Sequence, residues 1–192
     1  MPVERISRLP PRARAQRNEY YDAGTICLHW LTVALVAILW TLGQVTGWVP
    51  RGPFRSGLWS SHVALGLLLA VVLVMRILWR ANFGSVLPPA DVGVLNWLAK
   101  GTHYALYLLL LGVVGLGIAN ASYRAYDLYG VLTLPQFGSS DPATARGINS
   151  WHEWAANLTV LVALFHATAA LGHHYFWRDH LIARMRLPET AD

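Results

Sequence analysis

The chain has 192 residues, 55% of them hydrophobic and only 13% charged, with a formal net charge of +5 and a mean hydropathy of +0.38. That combination belongs to membrane proteins and sets aside a soluble nucleic-acid binder as the meaning of the positive charge. The single cysteine, Cys27, excludes an internal disulfide, a zinc-finger spacing and a C-x-x-C-H attachment for covalent haem.

Residues 1–20 carry Arg5, Arg8, Arg12, Arg14 and Arg17 among prolines, a composition expected to stay disordered and to contact anionic lipid. Four windows follow in which no Asp, Glu, Lys or Arg occurs: between Asp22 and Arg51, Arg55 and Arg76, Lys100 and Arg124, and Glu153 and Arg178. Each holds roughly 20 or more residues, enough to cross a ~30 Å hydrocarbon layer as a helix. Their Leu, Val and Ala show no period-two alternation, which argues against a β-barrel. The fold predicted is all-α: an integral membrane four-helix bundle with helices at about 24–48, 57–80, 97–120 and 148–177. The first segment is too long for a signal-peptide core and lacks a small-residue cleavage site before Trp48 and Pro50, so it is expected to remain in the mature chain. The connection at about 121–147, with Pro135, Gly138, a Ser-Ser-Asp turn and Pro142, is expected to form an outer cap. The domain boundaries are therefore a basic tail 1–20, a transmembrane domain 21–188 and a short tail 189–192.

Orientation follows from the basic residues. Eleven of the fifteen lie in the N-terminal tail, around the second connection (Arg76, Arg80, Lys100) or at the C-terminal end (Arg178, Arg184, Arg186). Only Arg51, Arg55, Arg124 and Arg146 lie on the other side. The positive-inside rule then predicts both termini in the cytoplasm. Trp30, Trp48, Trp59, Trp79, Trp97, Trp151 and Trp177 cluster near the helix ends, as interfacial belt anchors do.

The fourth window raises a chemical question, because its apolar run WHEWAANLTVLVALFHATAALGHH (151–174) contains four histidines. Imidazoles in lipid bury polar nitrogens that need partners. His152 and His166 lie fourteen residues apart, within ~40° of one helix face and ~21 Å apart along it, which suits two stacked sites rather than one shared metal. Depth in the membrane pairs His29 with His166 toward the inner surface and His62 with His152 toward the outer one. Each pair can clamp a flat porphyrin by axial ligation from two helices. A single such histidine is more simply a packed residue with a satisfied hydrogen bond, but four matched in depth across three helices favour ligation. Zinc or di-iron sites would want Cys or carboxylates, and Glu153 is the only acid near any of the four. Gly66, one turn below His62, and Gly112, Gly115 and Gly117 in the third helix would thin the bundle for a ring or serve close helix packing. His173 falls within ~20° of the His166 face and ~10 Å nearer the inner surface. His103 starts the third helix at a similar level. Both are candidates to contact propionates or a quinone carbonyl, or simply to sit among headgroups. His174 points ~100° from His173, His180 lies beyond the span, and neither is assigned a role.

Three stretches, LHWLTVALVAILW (28–40), SHVALGLLLAVVLVMRILWR (61–80) and WHEWAANLTVLVALFHATAALGHHYFWRD (151–179), together resemble the bacterial cytochrome b561 family over about residues 21–188. The resemblance implies a multi-pass protein of the bacterial inner membrane with two haems b, whose iron ligands would be His29, His62, His152 and His166. The HHYFWRD ending and YGVLTLP (129–135) are similar to the family's superoxide-oxidising branch, which implies superoxide as electron donor and ubiquinone as acceptor. The family also contains haem-b subunits that link a partner dehydrogenase or reductase to the quinone pool, and that remains the alternative. An outer arginine among Arg51, Arg55, Arg124 and Arg146 would attract superoxide.

Overall fold

A computed structural model describes residues 20–89, 93–136, 141–178 and 181–187. Nearly all of the basic tail, His180 and residues 189–192 lie outside the described residues. Four long helices dominate: α1 (Ala23–Thr46), α2 (Pro53–Asn82), α3 (Val94–Tyr123) and α4 (Pro142–Gly172). All four are long and apolar enough to span a membrane, α4 with its continuation to Trp177.

The helices start earlier than hydropathy alone suggested, for reasons written in their first residues. Proline at the first turn opens both α2 and α4, where its missing N–H costs nothing. Asp141 caps α4 by accepting from Thr144 N and Thr144 Oγ1, both at 2.7 Å. These same bonds hold the exposed Asp141 carboxyl below the usual carboxylate range. The expected start at 148 thus moves back by nearly two turns, and the outer connection shrinks accordingly.

What remains of that connection is a small hairpin, β1 (Asp127–Leu128) paired antiparallel with β2 (Leu132–Thr133). Its turn closes through Val131 N donating to Leu128 O at 3.0 Å. Tyr129 (φ 55°) and Gly130 (φ 72°) both take positive φ, as a type I′ turn demands. Glycine does this freely, but tyrosine does not. Tyr129 is held there by its hydroxyl, 2.7 Å from Ser61 Oγ, and by its N–H donating to Ser60 Oγ at 3.4 Å.

The core is an apolar seam between α1 and α2. Leu35, Leu39, Leu69 and Val72 are buried there, with Leu28, Val36, Leu65 and Val114 packed around them. α1 packs along α2, α3 along α4 and α2 along α3, while α1 and α4 scarcely touch. Across that last seam Trp40 Nε1 donates to Asn157 Oδ1 at 2.9 Å and Gln44 Nε2 to the same oxygen at 3.3 Å. Outward-facing Leu, Val and Trp side chains form the lipid surface. Thr32, Thr41, Ser61, Thr159 and Thr168 return their hydroxyls to the carbonyl four residues back, so no hydroxyl among these is left bare in hydrocarbon.

The end of the bundle that carries the start of α1 and the end of α4 is labelled inner after the orientation expected from sequence, and the opposite end outer. The inner end is tied by Asp22, the N-cap of α1. Its carboxylate accepts from Thr25 N (2.9 Å), Thr25 Oγ1 (2.7 Å), Trp79 Nε1 (2.7 Å), Ser85 N (2.9 Å) and Ser85 Oγ (3.1 Å). Partial burial works to raise this carboxyl, but the bonds from Ser85, Thr25 and Trp79 outweigh it and hold it well below the usual carboxylate range. The latch is tight because α1 has glycine where Trp79 crosses it: a Cβ at Gly24 would overlap the indole. Trp30 is also tied down, donating from Nε1 to Met185 O at 3.0 Å. Two tryptophans expected only to anchor in the interface therefore also fasten the inner end.

After Gly172 the fourth helix widens into a π turn, His173–Trp177, which ends at Arg178 in the left-handed region (φ 53°). A short 3₁₀ turn, Leu181–Met185, follows and returns to the bundle, where Tyr21 N donates to Arg184 O at 3.0 Å.

Candidate functional site

At the outer end, α2 and α4 bring His62 and His152 together with ring centres 6.2 Å apart and planes at 80°. Two imidazoles on opposite sides of one metal, with bonds of ~2.0–2.1 Å and ~1.1 Å from nitrogen to ring centre, would be ~6.3 Å apart. The spacing matches two ligands of one metal and equally lies within the range of an edge contact between rings. His152 Nδ1 lies 2.9 Å from Val113 O of α3. A carbonyl only accepts, so Nδ1 carries the hydrogen and Nε2 keeps its lone pair for a ligand. The Leu39 backbone lies near the His62 ring, yet His62 Nδ1 is enclosed with no hydrogen-bond partner. Trp59 packs edge-on against His62, 5.7 Å between ring centres.

The glycines sort themselves. Gly117 faces this site: a Cβ there would lie 3.0 Å from His152 Cε1. Gly66 is half-buried with open space beside it, leaving room one turn below His62. Gly112 and Gly115 are exposed, and a Cβ at either would meet nothing within 4 Å among the described residues.

Above the outer pair a polar chain runs to the surface. Arg124 Nε donates to Asn120 Oδ1 (2.9 Å), Asn120 Nδ2 to Asn149 Oδ1 (3.1 Å) and Asn149 Nδ2 to Glu153 Oε1 (2.7 Å). Of the four outer arginines, Arg124 is thus connected to the residue beside His152. Arg55 gives a hydrogen to Val49 O at 3.3 Å, and Arg51 and Arg146 are exposed.

The inner end is composed differently. His29 lies within electrostatic reach of both His166 and His103, so α1, α3 and α4 each contribute one ring. The rings in direct contact are His103 and His166, at 5.1 Å and 64°. That separation is about 1 Å short of the ~6.3 Å expected for two ligands of one metal, so it is an edge contact. His103 was expected level with His173, but it reaches His166 instead, because α3 carries it deeper alongside α4. His173 sits at the start of the π turn, stacked on Trp177 at 4.9 Å. His174, given no role from sequence, has an enclosed Nδ1 without a hydrogen-bond partner.

Sequence reasoning missed Arg76, which it counted only as a topology charge. Its Nη2 lies 2.9 Å from His29 Nδ1, and its guanidinium lies over the Tyr107 ring at 5.3 Å. The available signal was an arginine two turns inside an apolar helix, four residues before a second one.

These residues suit a flat, apolar, iron-bearing group better than a bare ion. Among the described residues no cluster of three or more His, Cys, Asp or Glu is grouped to hold a metal ion by itself. The outer pair instead offers two imidazoles 6.2 Å apart, beside Trp59, Gly117 and the Val113 carbonyl. Comparison with known proteins agrees. The family model of prokaryotic cytochrome b561 matches residues 20–187. Cytochrome b561 homolog 2 of Escherichia coli (strain K12) is 29% identical over 184 residues, covering 91% of this chain and 95% of that one. The protein named probable superoxide oxidase CybB of Yersinia pestis is 27% identical over 171 residues, covering 88% and 96%. Cytochrome b562 of Cereibacter sphaeroides is 30% identical over 173 residues, covering 88% and 96%. With its four apolar helices and a family match that runs almost from end to end, the chain belongs to the prokaryotic cytochrome b561 family, haem-b electron-transfer proteins of the bacterial inner membrane.

Proposed function

We propose that the protein is a superoxide oxidase, a membrane cytochrome with two haems b that takes electrons from superoxide at the outer face and delivers them to ubiquinone. In this reading His62 and His152 hold the outer haem, His29 and His166 the inner one. The observation that carries it is the placement of two histidine sites at opposite ends of α4, one of them at a spacing that matches two ligands of one metal. The name carried by the Yersinia pestis relative supports the choice of substrate.

When bound, the haems supply one-electron acceptance and release. The chain supplies position and access. Val113 O fixes the His152 ring and its tautomer, and Gly117 lets that ring lie against α3. Superoxide is an anion, and Arg124 offers a cation at the outer end. Each superoxide gives up one electron and leaves as dioxygen without a proton moving. Ubiquinone takes up two electrons and two protons, and in this reading His103 or His173 donates hydrogen bonds or protons to it at the inner side. Both termini lie in the cytoplasm in this reading, so a reporter fused after Asp192 should work only if it functions there.

The test is direct. Superoxide should rapidly reduce the haems of purified protein, ubiquinone should reoxidise them, and the first rate should fall as ionic strength rises. Slow reduction by superoxide with both haems in place would reject the enzyme and leave the alternative, a haem-b electron-transfer subunit that docks a redox partner. The relatives from Escherichia coli and Cereibacter sphaeroides, named only as cytochromes, favour that second reading.

A further inference from the structure

Arg76 is a cation two turns inside a membrane helix, and its partners are all neutral. It lies six residues before the last residue of α2, ~9 Å inside the helix end. It is half-buried, touching His29 Nδ1 and the face of Tyr107. No carboxylate among the described residues pairs with it. Asp22 at the same end is already engaged by Thr25, Trp79 and Ser85. A charge at this depth is costly without an opposite charge, and such residues mark ligand sites.

The contact with His29 sharpens this. A guanidinium has donors only, so His29 Nδ1 must be the acceptor and Nε2 must carry the ring hydrogen. In that tautomer Nε2 has no lone pair for a metal. Ligation through Nδ1 would use the lone pair that Arg76 occupies. Ligation through Nε2 would put the hydrogen on Nδ1 and leave Arg76 nothing to donate to. By either nitrogen, His29 can bind iron only after Arg76 lets go, and the released guanidinium then needs an anion within reach.

We propose that Arg76 is the carboxylate anchor of the inner haem pocket: on loading, its guanidinium leaves His29 and pairs with a propionate of the haem held by His29 and His166. This rests on the haem assignment given above. A carboxylate suits the planar fork of the guanidinium, which can bond it through two parallel hydrogens. The neighbours of Arg76, His29 on α1 and Tyr107 on α3, put it toward the bundle interior, where a haem edge can reach. Arg80, one turn nearer the surface, is a natural control. Its Nη1 donates to Ser85 O at 2.5 Å and its guanidinium lies 5.1 Å from the Tyr21 ring centre, so it is already engaged at the interface.

The experiment uses full-length protein in lipid nanodiscs, with haem content and the potential of each haem measured for wild type, R76Q, R76K and R80Q. The same chains are also loaded with haem whose two propionates are methyl-esterified. R76Q should leave the outer haem unchanged. It should shift the inner haem's reduction equilibrium about ten-fold toward the oxidised form, ~59 mV lower for one electron, because a carboxylate has lost its counter-charge. R76K should keep most of the wild-type value, and R80Q should move it little. Wild type should load the inner site better with haem than with the diester, and R76Q should lose that preference. If R76Q fails to load the inner haem while keeping the outer one, R76K decides. It should regain both the inner haem and the preference for haem over diester, and an R76K chain that stays empty at the inner site or loads both forms equally would overturn the proposal. An unchanged inner potential in R76Q together with an undiminished preference for haem over diester would overturn the proposal. So would an R76Q effect that vanishes when anionic lipid is replaced by zwitterionic lipid, which would make a lipid phosphate the partner. H166A run alongside separates the two layers: if it keeps both haems, the haem assignment itself fails.

Discussion

The two histidine sites use the same side chain at opposite ends of one bundle, yet their surroundings differ. At the outer end a backbone carbonyl orients His152 and a glycine makes space for it, and among the described residues no charged group is hydrogen-bonded to either ring. At the inner end three rings share space with a guanidinium. A carbonyl fixes geometry, while a cation sets where an added electron is more stable. On the proposed reading, that contrast would favour the electron at the inner end, the direction the reading requires from an outer donor to an inner acceptor. The two ends are also closed differently, the outer by a strained hairpin resting on Ser60 and Ser61, the inner by the Asp22 latch.

The largest expected effect tests whether the ends are separate at all. His152→Ala should remove the outer haem and His166→Ala the inner one, each leaving the other in place, because each empties one axial position. A pyridine haemochrome assay with visible spectra reads both. Two unchanged haems in either variant would dissolve the distinction between the sites.

Gly24→Ala comes next. The new methyl must displace Trp79 and break its bond to Asp22, an overpacking cost of ~1–3 kcal/mol. Thermal unfolding followed by helix signal should show a lower midpoint, while the outer haem's spectrum stays as in wild type.

Gly117→Ala probes the other end more gently. Its Cβ would lie 3.0 Å from His152 Cε1, so the ring must give by a few tenths of an ångström. The absorption and potential of the outer haem should shift and those of the inner haem should not, at a stability cost of ~1 kcal/mol. A shift at the inner haem instead would place Gly117 with the wrong site.

The smallest effect is in pH. Folding holds the Asp22 carboxyl below its ordinary value, so its stabilisation is fully present above the unfolded value of ~3.9 and is lost as pH falls below it. Wild type should lose thermal stability on acidification below about pH 4, and Asp22→Asn should flatten that slope while leaving the outer site unaffected. Parallel slopes in the two proteins would remove Asp22 from the latch.

Hydropathy and charge gaps were enough to place the four spans, because a ~20-residue uncharged run has one stable solution in lipid. Depth in the membrane likewise paired His62 with His152, whose rings the structure brings to 6.2 Å. The same argument paired His166 with His29, but the ring His166 meets is that of His103. The early start of α4 was also legible, in Asp141 followed by Pro142 at the first turn, although hydropathy passes over capping signals. What periodicity could not decide was rotation and contact between helices. That His103 meets His166, that Arg76 takes the lone pair of His29 and that Val113 turns His152 all depend on how α1, α2, α3 and α4 face one another. Facing is set by packing between segments far apart in the chain, so only the tertiary structure could decide it.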